Sequence, residues 1–72
     1  MDQVEFSLDG QPFIPLYSLL KVEGLCESGA MAKQVIDAEM VSVDGEIETR
    51  KRCKITAGKT VEFNGNSILV TP

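Results

Sequence analysis

Four of the seven lysines and arginines of this 72-residue chain fall within five positions, in the stretch Thr49-Arg50-Lys51-Arg52-Cys53-Lys54-Ile55. Outside that window three basic residues face eleven acidic ones, so the rest of the chain carries −8 against a formal total of −4. Charges separated by more than about 10 Å are largely screened at about 0.1 M salt, so a compact cluster acts locally against the global sign. The chemistry open to such a cluster is to hold an anion, phosphate above all. On composition alone, a solvated loop neutralised by Glu46 and Glu48 is the simpler reading. The backbone decides how useful the cluster is. Strand alternation cannot aim Arg50, Lys51 and Arg52 to one side. A loop or bulge lets all of them line one edge.

Other chemistries find little support. The chain has no histidine, and Cys26 and Cys53 form no CxxC, so a zinc site would need carboxylates and two distant thiols. No metal and no cofactor are expected. The acidic residues are spread along the chain, and no nucleophile–base arrangement can be read, so no catalysis is expected either. Both cysteines read as small, partly buried hydrophobes, although cations around Cys53 would depress its pKa if it were exposed. The chain lacks an apolar run long enough to cross a bilayer, and its start, MDQVEFSL, lacks a basic-then-apolar secretory pattern. Free thiols and these two absences point to the cytoplasm and away from a membrane.

The elements that must position the cluster follow from periodicity. Val4, Phe6 and Leu8 alternate with Gln3, Glu5 and Ser7, the period of a half-buried strand, and Asp9-Gly10 supplies a turn. Leu16, Leu19 and Leu20 share a helix face that begins near Pro15 and ends before Gly24. Ser28 is an N-cap for a second helix, whose inward stripe is Ala32, Val35 and Ile36 and which stops near Ala38 or Glu39. Val41 and Val43, the Asp44-Gly45 turn and Ile47 make a hairpin. The basic window follows as a connection. Residues 60–63 and 67–71 are two more strands joined at Asn64-Gly65-Asn66. Leu19, Leu20, Val35 and Ile36 are expected to form the buried seam between the helices. The fold class is α+β, as one domain over residues 1–72.

Read as one string, Leu16-x-x-Leu19-Leu20, Gly24, Ser28, Ala32, Val35-Ile36 and Val41-x-Val43-Asp44-Gly45 lead through the basic window to Ile55, Gly58 and Val61. This pattern resembles the S4 RNA-binding domain family, and the segment from Val43 to Ile55 looks like its small stand-alone members. The resemblance covers about residues 14–63. It implies a two-helix S4-type (αL) motif packed on a small, mainly antiparallel sheet, with the flanking strands as additions. The sequence departs from the family at two positions. The arginine common after the serine is Gly29 here, leaving a helix-start amide to meet an anion. A glycine common after the second helix is Glu39, which disfavours a left-handed cap, so the turn is expected to be built differently or to come a residue earlier.

The resemblance reverses the reading of the basic window. It implies binding of structured RNA, with Ser28, Gly29, Lys33, Arg50, Lys51, Arg52 and Lys54 meeting phosphates. Lys33 faces away from the Val35/Ile36 stripe by helical spacing, and the resemblance lays that face on the RNA. Lys21 suits the negative end of its helix and Lys59 reads as a turn cation. Tyr17 reads as cover for the core edge, and with four aromatics in the chain no stacking platform is evident. Recognition by shape and phosphate contact is expected, by a monomer. A different class stays open: a protein-interaction module docking on a ribosomal or RNA-processing protein through the acidic surface. A sulfur- or ubiquitin-like carrier is disfavoured, because the chain ends Leu69-Val70-Thr71-Pro72 without a Gly-Gly tail.

Overall fold

The computed structural model describes residues 2–72. Seven short strands and two helices follow one another as β1 (Asp2–Ser7), β2 (Ile14–Pro15), α1 (Leu16–Val22), α2 (Gly29–Asp37), β3 (Val41–Val43), β4 (Glu46–Ile47), β5 (Lys54–Ile55), β6 (Thr60–Phe63) and β7 (Asn66–Thr71). Five strands form a mixed sheet in the order β1-β7-β6-β3-β4, in which only β1 and β7 run parallel. The remaining two, β2 and β5, make a separate antiparallel pair with Ile14 opposite Ile55 and Pro15 opposite Lys54.

Two hairpins set the register of the sheet. Asp44-Gly45 and Asn64-Gly65 both have positive φ at each central residue, the type I′ geometry whose twist matches that of the flanking strands. Val41, Val61, Phe63, Ile68 and Val70 therefore face inward, while Ser42, Glu62 and Ser67 line up across the outer face. Asp44 fixes the first hairpin to β6, accepting from the Thr60 amide at 2.9 Å and pairing with Lys59 at 3.4 Å. Lys59 is thus a turn cation with a partner.

Both helices bury one stripe against the inner face of this sheet. Leu16, Leu19 and Leu20 of α1 meet Ala32 and Ile36 of α2 in one cluster with the inward strand residues and Cys26. Val35 belongs to the rim of that cluster and is only half-buried, so the seam runs through Ala32 and Ile36 more than through Val35. Helix α1 ends where expected. Gly24 takes φ +77°, its amide donates to the Lys21 carbonyl at 3.0 Å, and the Leu25 amide donates to Leu20 at 3.0 Å, a Schellman closure.

The end of α2 corrects the expectation drawn from Glu39. The helix stops at Asp37 with Ala38 as cap, and Glu39 itself adopts φ +63°. The same two bonds close the turn, from Glu39 to Ile36 and from Met40 to Val35, each at 3.1 Å. Glutamate occupies the glycine conformation because the hydrogen-bonded turn and the following buried Val41 over-determine it. The strain of an L-residue in this region is about 1–2 kcal/mol.

Glu39→Gly is expected to stabilise the fold by about 0.5–1 kcal/mol, since relief of that strain is partly offset by glycine's freer unfolded chain. Leu20→Ala, which empties a fully buried site, is expected to cost about 2–5 kcal/mol. Denaturant titration of both variants against wild type checks the two signs.

Candidate nucleic-acid interface

Helix α1 begins without a capping side chain. Its N-cap, Pro15, is extended and makes no side-chain cap bond. The first amides are satisfied from elsewhere: Leu16 N–H donates to the Cys53 carbonyl at 2.9 Å and Tyr17 N–H to the Lys51 carbonyl at 3.1 Å. The connection between β4 and β5 thus caps α1 with its own backbone, meeting the demand that orphan helix amides find acceptors. A tight turn presents those carbonyls, closed by Cys53 N–H donating to Arg50 at 3.1 Å. The basic window is therefore a connection only as far as Cys53, because Lys54 already belongs to β5.

Glu48 anchors the near side of the turn. The hairpin ladder holds its amide on the Val41 carbonyl at 3.0 Å. Its carboxylate accepts from Arg50 Nε at 2.9 Å, Arg50 Nη2 at 3.1 Å and the Arg50 backbone N–H at 3.0 Å. The Arg50 fork and backbone amide hold the Glu48 carboxyl well below the usual carboxylate range, at about 2. Cys53 lies beside this pair, accepting from Arg50 Nη2 at 3.8 Å. Burial pushes the Cys53 thiol up, and Glu48 adds to the rise. The cations expected to depress it act the other way but lose to burial, because the thiol is partly covered rather than exposed.

The predicted site residues divide by what already engages them. Arg50 is committed to Glu48, and Lys51 Nζ lies 3.6 Å from Asp37 Oδ2 at the end of α2. Lys33, Arg52 and Lys54 have no ion-pair partner among the described residues. Two of these three converge on one ring: Lys33 Nζ lies 4.7 Å from the Tyr17 ring centre and Arg52 Cζ lies 5.7 Å from it. Lys54 sits 5.1 Å from the ring centre of Phe13. Ser28 caps α2, accepting from Met31 N–H at 3.2 Å. Gly29 lies against Tyr17, where an added Cβ would meet the ring at 3.7 Å, an ordinary contact.

Sequence reasoning named Glu48, with Glu46, as a neutraliser of the basic window, and Glu48 is the one that pairs with Arg50. It missed Asp37 and Phe13 and preferred the core edge for Tyr17. Tyr17 does pack on the core, but a helix lysine and a loop arginine also both approach its ring. The one available signal was the i, i+2 spacing of Glu48 and Arg50. No group of metal-ligating side chains is found among the described residues, nor a helix long and apolar enough to cross a membrane.

Two short helices sharing an inward stripe, a Ser-capped second helix, a V-x-V-D-G hairpin and a basic turn bolted to the first helix define one family. The chain belongs to the S4 domain family, whose pattern matches residues 6–71. It is 57% identical over 65 residues to YbcJ of Escherichia coli (strain K12), designated a candidate RNA-binding protein, covering 90% of this chain and 93% of that protein. YbcJ of Shigella flexneri, uncharacterized, matches to the same extent. The solution structure of Escherichia coli YbcJ, described as revealing an αL motif involved in RNA binding, superposes with a TM-score of 0.74 at 54% identity, over 94% of this chain and 86% of that one.

Two measurements probe the docked turn. The carboxylate of Glu48 is stabilised in the folded protein, so its contribution is complete above its ordinary value of 4.5 and is lost as pH falls through about 2. A carbon-detected titration of Glu48 is expected to show its midpoint near that lower value; a midpoint near 4.5 would mean that the fork is open in solution. Amide hydrogen exchange at Leu16 and Tyr17 is expected to be as slow as in mid-helix, although first-turn amides ordinarily exchange fast.

Proposed function

We propose that this chain binds structured RNA without catalysis of its own, gripping phosphates with Lys33, Arg52 and Lys54. The Ser28/Gly29 start of α2 lies beside them, and Arg50 and Lys51 complete the basic face. The observation that carries the reading is the meeting of Lys33 and Arg52, distant in sequence, at the ring of Tyr17. Cations held over an aromatic face lose less freedom when they engage a phosphate, and none of these three must first break an ion pair. The RNA-binding description of Escherichia coli YbcJ, more than half identical in sequence, supports the same conclusion.

Phosphate contact is the expected source of affinity, because Tyr17 and Phe13 are already covered in part by cations. Shape and backbone recognition suits an A-form helix or a folded RNA more than an unstacked strand. The −8 remainder of the chain opposes indiscriminate wrapping of nucleic acid and limits contact to one face.

Affinity for an RNA hairpin is expected to fall with salt at a log–log slope of about −3, from roughly three to four engaged cations. Arg52→Gln should flatten that slope by about one unit, whereas Lys21→Gln, at the far end of α1, should leave it unchanged. Gly29→Arg has room for its Cβ beside Tyr17 and should tighten binding by adding a cation to the same face. No RNA binding at low salt, with folded protein, would move the assignment to a protein-docking module.

A further inference from the structure

The side chains that line the turn border an open, shallow recess that does not include the Tyr17 ring. It measures about 470 Å³ and is lined by Arg50, Arg52, Cys53 and Lys54. Its walls are three cations and its remaining member a half-buried thiol. Arg50 presents to it a guanidinium already fixed through Nε and Nη2 on Glu48, which leaves the Nη1 hydrogens as free donors. Arg52 and Lys54 make no side-chain hydrogen bond and no ion pair among the described residues, so all their donors are available. The two lie near different rings, Arg52 near Tyr17 and Lys54 near Phe13.

We propose that this recess is a site for a terminal phosphomonoester, supplied by the end of the bound RNA. The inference rests on the RNA-binding reading and specifies which part of the RNA is selected. The charge argument separates a terminal from an internal phosphate. Three cations less the Glu48 carboxylate bound on one edge of Arg50 leave a local charge of +2. A phosphomonoester carries about −1.5 to −2 at neutral pH and offers three acceptor oxygens, one for each cationic group. An internal diester carries a single charge and two free oxygens, and would leave one cation unmatched. The preformed Arg50 fork adds geometric selectivity, because its orientation is set before the ligand arrives.

The test compares one RNA hairpin, internally labelled, bearing a 5′-phosphate, a 3′-phosphate or hydroxyls at both ends. Fluorescence anisotropy at fixed moderate salt reads the three affinities. One phosphorylated form is expected to bind about tenfold more tightly than the hydroxyl form, the factor given by one additional charge-assisted contact. Arg52→Gln and Lys54→Gln should each reduce that ratio toward one, and Lys21→Gln should keep it, with circular dichroism confirming the fold of each variant. Equal affinity of all three hairpins for wild type would overturn the site while leaving RNA binding intact. Absence of binding to any hairpin would overturn the site together with the reading it rests on. A nucleoside 5′-monophosphate provides the last arm. If it occupies the recess as tightly as the phosphorylated hairpin does, the ligand is a free nucleotide and the assignment to an RNA end is wrong.

Discussion

The structure depends on how the first turn of α1 finds its hydrogen-bond acceptors. Pro15 cannot cap with a side chain, and the amides of Leu16 and Tyr17 are satisfied by the carbonyls of Cys53 and Lys51. That arrangement couples two needs. The helix requires acceptors at a fixed place, and the basic turn requires something rigid to lie on. Each supplies the other, and the Ile14–Pro15 pairing with Lys54–Ile55 continues the join into the core at Ile55. Moving the turn would leave two helix amides unpaired, which costs about 1–3 kcal/mol for each buried donor.

Ion pairing then divides the cations of that turn into partnered and unpartnered ones. Arg50 and Lys51 hold the turn to Glu48 and Asp37; the exposed Lys51–Asp37 pair contributes little to global stability, whereas the Glu48 carboxylate is largely covered. Their role is orientation. Arg52 and Lys54, without such partners among the described residues, project from the same turn, while Lys33 reaches the same region from α2. Of the four cations without an ion-pair partner among the described residues, three (Lys33, Arg52 and Lys54) thus lie around the turn and Lys21 stands apart. The outer sheet face carries Glu62 between Ser42 and Ser67.

What could be read from the sequence was what short-range physics decides. The two type I′ turns, the Ser28 cap, the Gly24 stop and the leucine stripe of α1 each depend on residues within one turn of each other, and each is found in the structure. The grouping of the cations was legible as a cluster. Its internal division was not. Whether Arg50 pairs with Glu48 depends on the path of the turn, which is set by contact with α1 some 35 positions earlier in the chain. The two-residue strands β2 and β5 have no periodicity of their own and exist only as a pair. Glu39 shows the opposite case, where a clear local preference yields to the turn that the tertiary structure imposes.

The central claim is that α1, α2 and the docked turn form one preassembled RNA-binding face. The most direct measurement is a titration of isotopically labelled protein with an RNA hairpin, followed by backbone amide and arginine side-chain shifts. The account predicts that Tyr17, Gly29, Lys33, Arg52 and Lys54 move together, with the strand amides of β6 and β7 unchanged and the Leu16 and Tyr17 hydrogen bonds retained. Shifts centred on the outer row of Ser42, Glu62 and Ser67, or release of the turn from α1 on binding, would contradict it.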